Sequence, residues 1–155
     1  MRKFSIAAAA ILAVACAVHG TAQQQERGLW RAASNTAASI TGDITIAEAR
    51  LTVDFLTFPL AHIRPLKPEE VVSVFDADVN TAGEGTLYRL RVAAAQRFLR
   101  KNTLCGSDET QWMATYLSGP KTLQVAFLSG DDEPVFTMDA ITKSGRLCGT
   151  YTYVR

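Results

Sequence analysis

Two thiols and one imidazole, Cys105, Cys148 and His62, are the residues of the chain's body best suited to chemistry. A thiol beside an imidazole makes a nucleophile, four nitrogen or sulfur ligands close a zinc site, and two cysteines in an oxidising compartment form a disulfide. Two cysteines and one histidine fall short of the zinc set. Nucleophile or crosslink then depends on where the chain resides. Among carboxylates, Asp76 and Asp78 share a face if extended, and Asp131-Asp132-Glu133 run consecutively. The second group lacks the alternating spacing and distant glutamate of a calcium loop, so no metal is predicted. Arg89, Arg91, Arg97, Arg100 and Lys101 are the one basic concentration, which could dock an anionic partner. No serine sits in a G-x-S-x-G elbow, and there is no phosphate-binding glycine loop, dinucleotide fingerprint or C-x-x-C-H. The inventory predicts a non-enzymatic protein without a cofactor.

The N-terminus indicates a compartment. Arg2 and Lys3 precede an apolar run over residues 6–18, then the small residues Gly20-Thr21-Ala22 and the polar Gln23-Gln24-Gln25. Charged start, apolar middle and small residues at the cut are the layout of a secretory leader. This predicts a signal peptide over residues 1–22 and a single exported, periplasmic β domain over residues 23–155. In addition, Leu12-Ala13-Val14-Ala15-Cys16 partly resembles a bacterial lipobox, which would anchor the domain to a membrane through an acylated Cys16. Export selects the crosslink: Cys105 and Cys148 are expected to pair, and closing a loop of that length stabilises by about 4 kcal/mol. Both lie in the same tripeptide, Leu-Cys-Gly, which suits two strand ends brought side by side.

Composition narrows the partners. The chain has 155 residues, 48% hydrophobic and 20% charged, with a net charge of +1. Loss of Arg2 and Lys3 leaves −1, too little to attract nucleic acid or an anionic membrane broadly. No nucleic-acid partner is expected, and a membrane only through Cys16. An envelope protein or a hydrolase is the expected class of partner.

Short β-prone segments broken by turn residues must position these groups. Residues 50–55 alternate, with Leu51, Val53 and Phe55 on one face and Arg50, Thr52 and Asp54 on the other. Residues 86–92 repeat the pattern with Tyr88, Leu90 and Val92. Residues 110–117 and 122–128 flank Ser118-Gly119-Pro120-Lys121 and read as a hairpin. Gly130-Asp131-Asp132-Glu133-Pro134 is a further turn, followed by strands over 135–141 and 146–154. Residues 29–34 and 38–41 also read as β-prone, and 58–64 as an edge strand or an extended connection among prolines. Residues 71–75 are open between a strand, from their valines, and a helix, from the Pro-Glu-Glu before them. Residues 93–101 are the best helix candidate by propensity. The expected fold is all-β: a small antiparallel barrel or sandwich of about eight strands with at most one short helix.

Gly28-Leu29-Trp30 resembles the G-x-W that opens lipocalin-like barrels, in which the tryptophan closes one end against an arginine of the last strand. That resemblance implies such a role for Arg155 or Arg146, and a cavity for a small apolar ligand. Export, size, an expected disulfide and the loops Ser118-Gly119-Pro120-Lys121 and Ser129-Gly130-Asp131-Asp132 are similar to those of small periplasmic lysozyme inhibitors, whose Ser-Gly loop enters the enzyme's cleft. The chain lacks the Lys-Gly that follows an aromatic strand in that group. Three functions are therefore expected in order: an exported binding or envelope-associated protein, an inhibitor of a lysozyme or protease acting through a hairpin loop, and a lipocalin-like carrier. The candidate partner-binding residues are Ser118, Gly119, Lys121, Asp131, Asp132 and Glu133.

Overall fold

The computed structural model describes residues 25–155; the expected leader and Cys16 lie outside them. Nine antiparallel strands form one sheet: β1 (Gly28–Ala32), β2 (Ile44–Ala47), β3 (Arg50–Val53), β4 (Leu56–Pro59), β5 (Ala61–Leu66), β6 (Gly85–Val92), β7 (Thr110–Gly119), β8 (Thr122–Ser129) and β9 (Leu147–Val154). Their order across the sheet is β4-β3-β2-β1-β9-β8-β7-β6-β5. The edge strands β4 and β5 are separated in sequence by Leu60 alone, so the sheet curls until its edges meet there, yet no ladder joins them. The sheet is therefore open. Each edge strand carries a proline, Pro59 or Pro65, which removes a donor from the unpaired side or its neighbourhood and discourages further pairing.

Alternation fixes the inner face. Trp30, Ile44, Ile46, Leu51, Val53, Tyr88, Leu90, Met113, Val125, Phe127, Tyr151 and Tyr153 are buried together there. Strands β6 to β8 are buried on the outer face as well, where Leu87, Trp112, Ala114, Tyr116, Ala126 and Leu128 form a second core. That double burial explains why Met113-Ala114-Thr115-Tyr116 and Val125-Ala126-Phe127-Leu128 read as unbroken runs with little alternation.

More than one helix forms, against the expectation of at most one; those that follow β5 and β8 cover that second core, while the one that follows β1 packs Ala37 and Ile40 on the inner-face core. α1 (Asn35–Ile40), α2 (Pro68–Phe75) and α3 (Met138–Ser144) all form. In α2 the first turn prevails over the β-branched residues: Pro68 leads, Glu70 accepts from the Lys67 N–H at 2.9 Å, and Val71, Val74 and Phe75 fall on one buried face. Residues 38–41, expected as strand, belong mostly to α1, which Ser34 caps by accepting from Ala37 N at 3.1 Å. The strand expected over 135–141 is replaced by an extended segment and then α3, capped by Thr137. The helix expected over 93–101 is a turn followed by one 3-10 turn at Leu99–Lys101. Propensity alone does not hold a helix without an apolar stripe, and only Phe98 of that segment is buried.

Cys105 and Cys148 are joined, with Cα atoms 4.9 Å apart. Cys148 begins β9 as expected, but Cys105 lies in the loop before β7, with Leu104 turned into the core. The bond ties that loop to the last strand.

Candidate functional site

Backbone strain is concentrated at one end of the molecule. Five non-glycine residues among those described have positive φ: Asp54, Phe55, Asp76, Arg100 and Lys101. Asp76 ends α2 in the usual left-handed cap. The other four form two adjacent pairs on either side of one groove. The two-residue turn between β3 and β4 is Asp54-Phe55, with φ of 47° and 65°. A turn with both central residues left-handed matches the twist of a hairpin but favours Asn-Gly, since a side chain there meets its own carbonyl. Phe55 nevertheless occupies the second position, 98% exposed, so burial against the described residues contributes almost nothing to holding the ring. The expectation that Phe55 joins Leu51 and Val53 in the core is overturned: the strand ends at Val53 and the chain reverses.

Across the groove, Arg100 and Lys101 have φ of 55° and 62° and are both exposed. Phe98 anchors their loop inward, edge-on to Phe58 with ring centroids 6.0 Å apart, and Asn102 Nδ2 donates to Ser39 O at 3.1 Å. Leu99 packs over Gly42, where an added Cβ would stand 3.1 Å from Leu99 Cδ1 and φ is +63°, so glycine is required. The groove between has a volume of about 420 Å³ and is lined by Leu29, Asp43, Thr45, Asp54, Phe55 and Leu99 among others. Leu29, Thr45, Thr52 and Thr57 form a cross-strand row on the outer face of β1 to β4. Leu29 is 56% exposed. The groove thus lies on the half of the sheet that α2 and α3 leave open.

The residues singled out in the sequence fall elsewhere, in two separate places. Ser118 and Gly119 end β7, and Pro120-Lys121 makes a tight turn into β8, with Lys121 O accepting from Arg155 N at 3.1 Å. Asp131, Asp132 and Glu133 lie at the far end of β8, roughly 20 Å away along an eight-residue strand. They belong to a segment strapped across the second core. Arg64 Nε donates to Glu133 at 2.6 Å while its other nitrogens hold Glu70 at 2.9 Å. Arg64 draws the Glu70 carboxyl below its ordinary range. Arg89 donates to Asp131 O at 2.8 Å and to Gln111, and stacks 4.5 Å over Trp112. Arg146 reaches the carbonyls of Ser129, Gly130 and Asp132. Asp131 and Glu133 are therefore engaged within the chain, and Arg89 and Arg91 are too, Arg91 through Glu109 at 3.0 Å.

Arg155 takes the position that the G-x-W resemblance gave to it or Arg146, 4.1 Å over the Trp30 ring, and donates to Arg27 O at 3.1 Å and to Gln25 O. His62 is exposed on β5, edge-on to Tyr88 at 5.9 Å. Asp78 accepts from Asn80 N at 2.8 Å, as a turn-forming aspartate does.

Sequence reasoning passed over Glu26. It is fully buried, its carboxylate accepting from Thr115 at 2.7 Å, Tyr88 at 2.7 Å and Thr86 at 3.1 Å, while its main-chain oxygen accepts from Trp30 Nε1 at 2.7 Å. Burial pushes its pKa up, against the pull of the three hydroxyls. No sequence signal marks it, because a glutamate in the polar segment Gln23-Gln24-Gln25-Glu26-Arg27 reads as solvated.

Among the described residues no group of three histidines, cysteines or acids could hold a metal ion, and no helix is long and apolar enough to cross a membrane. Comparison with known proteins finds no matching family model, no matching curated protein and no matching solved structure.

Proposed function

We propose that the protein is an exported, non-enzymatic binding protein of the cell envelope, and that it engages its partner through the end carrying Phe55. The carrying observation is Phe55 itself: a large apolar ring held 98% exposed on a left-handed backbone, at a cost the fold does not recover. Residues kept in strained conformations cluster where they serve binding, and an exposed aromatic at a rigid tip is the kind of group that anchors an interface. The leader layout and the pairing of the two body cysteines support export.

The inhibitor reading draws support from the β7–β8 hairpin, whose two-residue turn at Pro120-Lys121 protrudes with Ser118 and Lys121 exposed. The carrier reading draws none from the inner face, which Trp30, Met113, Phe127, Tyr151 and Tyr153 fill. Affinity capture from an envelope fraction separates the two ends. Capture of a specific component that is lost on Phe55→Ala, and kept on Lys121→Ala, supports the proposal; the reverse pattern transfers it to the β7–β8 hairpin.

A further inference from the structure

We infer that the Phe55 end docks on an anionic lipid surface, with the Phe55 ring entering the headgroup layer and Arg97, Arg100 and Lys101 lying against the charged headgroups. This rests on the reading that the Phe55 end is the binding end, and names its partner.

The placement of charge supplies the argument. Phe55 and Leu99 line the same groove, so the exposed ring and the basic loop that follows Leu99 share one end of the molecule. Arg97, Arg100 and Lys101 are all exposed. Among the described residues none of them is in an ion pair; Arg97 bonds only to the carbonyls of Ala94 and Gln96. The other two basic residues of the same stretch of chain, Arg89 and Arg91, are neutralised by Asp131 and Glu109. Within one concentration of five cations, the three that flank Leu99, which shares the groove with Phe55, are the ones outside any ion pair among the described residues. The acids at this end are Asp43 and Asp54, and Asp43 is turned onto Ala32 N at 2.9 Å. A compact partner protein would be expected to meet the ring with a pocket and these cations with fixed acids. A lipid surface requires neither, only an exposed apolar finger with exposed positive charge at the same end; the Asp54-Phe55 turn supplies the finger and the Arg100-Lys101 turn the charge. A mature net charge of −1 does not oppose this, since attraction within a Debye length is set by local charge.

The test uses the exported form, residues 23–155, which lacks both the apolar leader and Cys16 so that neither contributes, and sedimentation with vesicles. One set is phosphatidylcholine with a third phosphatidylglycerol; the other is phosphatidylcholine alone. The account expects binding to the anionic vesicles in low salt, much weaker binding to neutral ones, and loss in high salt. Arg100→Gln with Lys101→Gln should weaken anionic binding about 25-fold, about 5-fold for each charge. Phe55→Ser should weaken it about 10-fold or more. Arg91→Gln, away from this end, should leave it unchanged. Equal binding to both vesicles, no binding, or binding that these substitutions do not move overturns the inference. If vesicles are not bound while Phe55-dependent capture of an envelope protein persists, the lipid assignment fails and the reading of the Phe55 end stands; if neither is seen, both fall.

Discussion

Replacing Phe55 by glycine should make the protein more stable while removing its means of binding. A side chain on left-handed backbone costs about 1–2 kcal/mol relative to glycine. Phe55 is 98% exposed, so its removal forfeits no burial. Glycine returns about 0.4–1 kcal/mol to the unfolded chain as entropy. The balance is a gain of about 0.5–1 kcal/mol, and for a domain of this size a rise in Tm of about 2–4 °C. Phe55→Ala is the matched control, since alanine keeps most of the left-handed cost and should leave Tm within about 1 °C. Calorimetry on the three proteins reads the effect, and vesicle binding should weaken about 10-fold or more in both variants. A clear fall in Tm for Phe55→Gly would refute the reasoning, because it would mean that the ring is held by contacts of its own fold.

Glu26 should make the protein prefer mild acid. Its folded pKa lies above the unfolded value, so its favourable contribution is complete below about pH 4 and is lost as pH rises through the folded pKa. Glu26→Gln should therefore raise Tm at pH 7.5 and leave it nearly unchanged at pH 4; destabilisation at pH 7.5 would show that the hydroxyl bonds from Tyr88, Thr115 and Thr86 outweigh burial. Reduction of Cys105–Cys148, or Cys148→Ser, should cost about 4 kcal/mol and roughly 10–20 °C in Tm, measured with and without reductant. Arg64→Met should cost about 1 kcal/mol at neutral pH, the pairs with Glu70 and Glu133 being partly exposed. Because Glu70 titrates below its ordinary range, that cost should shrink as pH falls through its folded pKa, which denaturant melts at pH 7 and pH 3 would show.

Much of the sheet is legible residue by residue. Leu51 and Val53, Tyr88, Leu90 and Val92, and the β7–β8 hairpin around Pro120-Lys121 all follow from alternation and turn chemistry. Alternation carries no stop signal, however, so it runs past Val53 into a phenylalanine that belongs to the turn. The helices were harder because their cause is tertiary: α2 and α3 exist to cover an outer face that β6 to β8 bury, and an unbroken apolar run does not reveal that both its faces need cover. The disulfide partners follow from a count. The segment 131–133 could not be told from a free tip, since two of the arginines that hold it, Arg64 and Arg89, lie 69 and 42 residues away in sequence. Arg155 over Trp30 was visible as one of two candidates, whereas the groove beside Phe55 depends on φ values that no residue type there announces.

Photo-crosslinking in living cells from a benzoylphenylalanine placed at position 55 tests the central claim most directly, with the same probe at Val79, 73% exposed, as the control site. The account predicts a discrete crosslinked species, to protein or to lipid, from position 55 and none from position 79. Uncrosslinked monomer at position 55, or the same products from both positions, would contradict it.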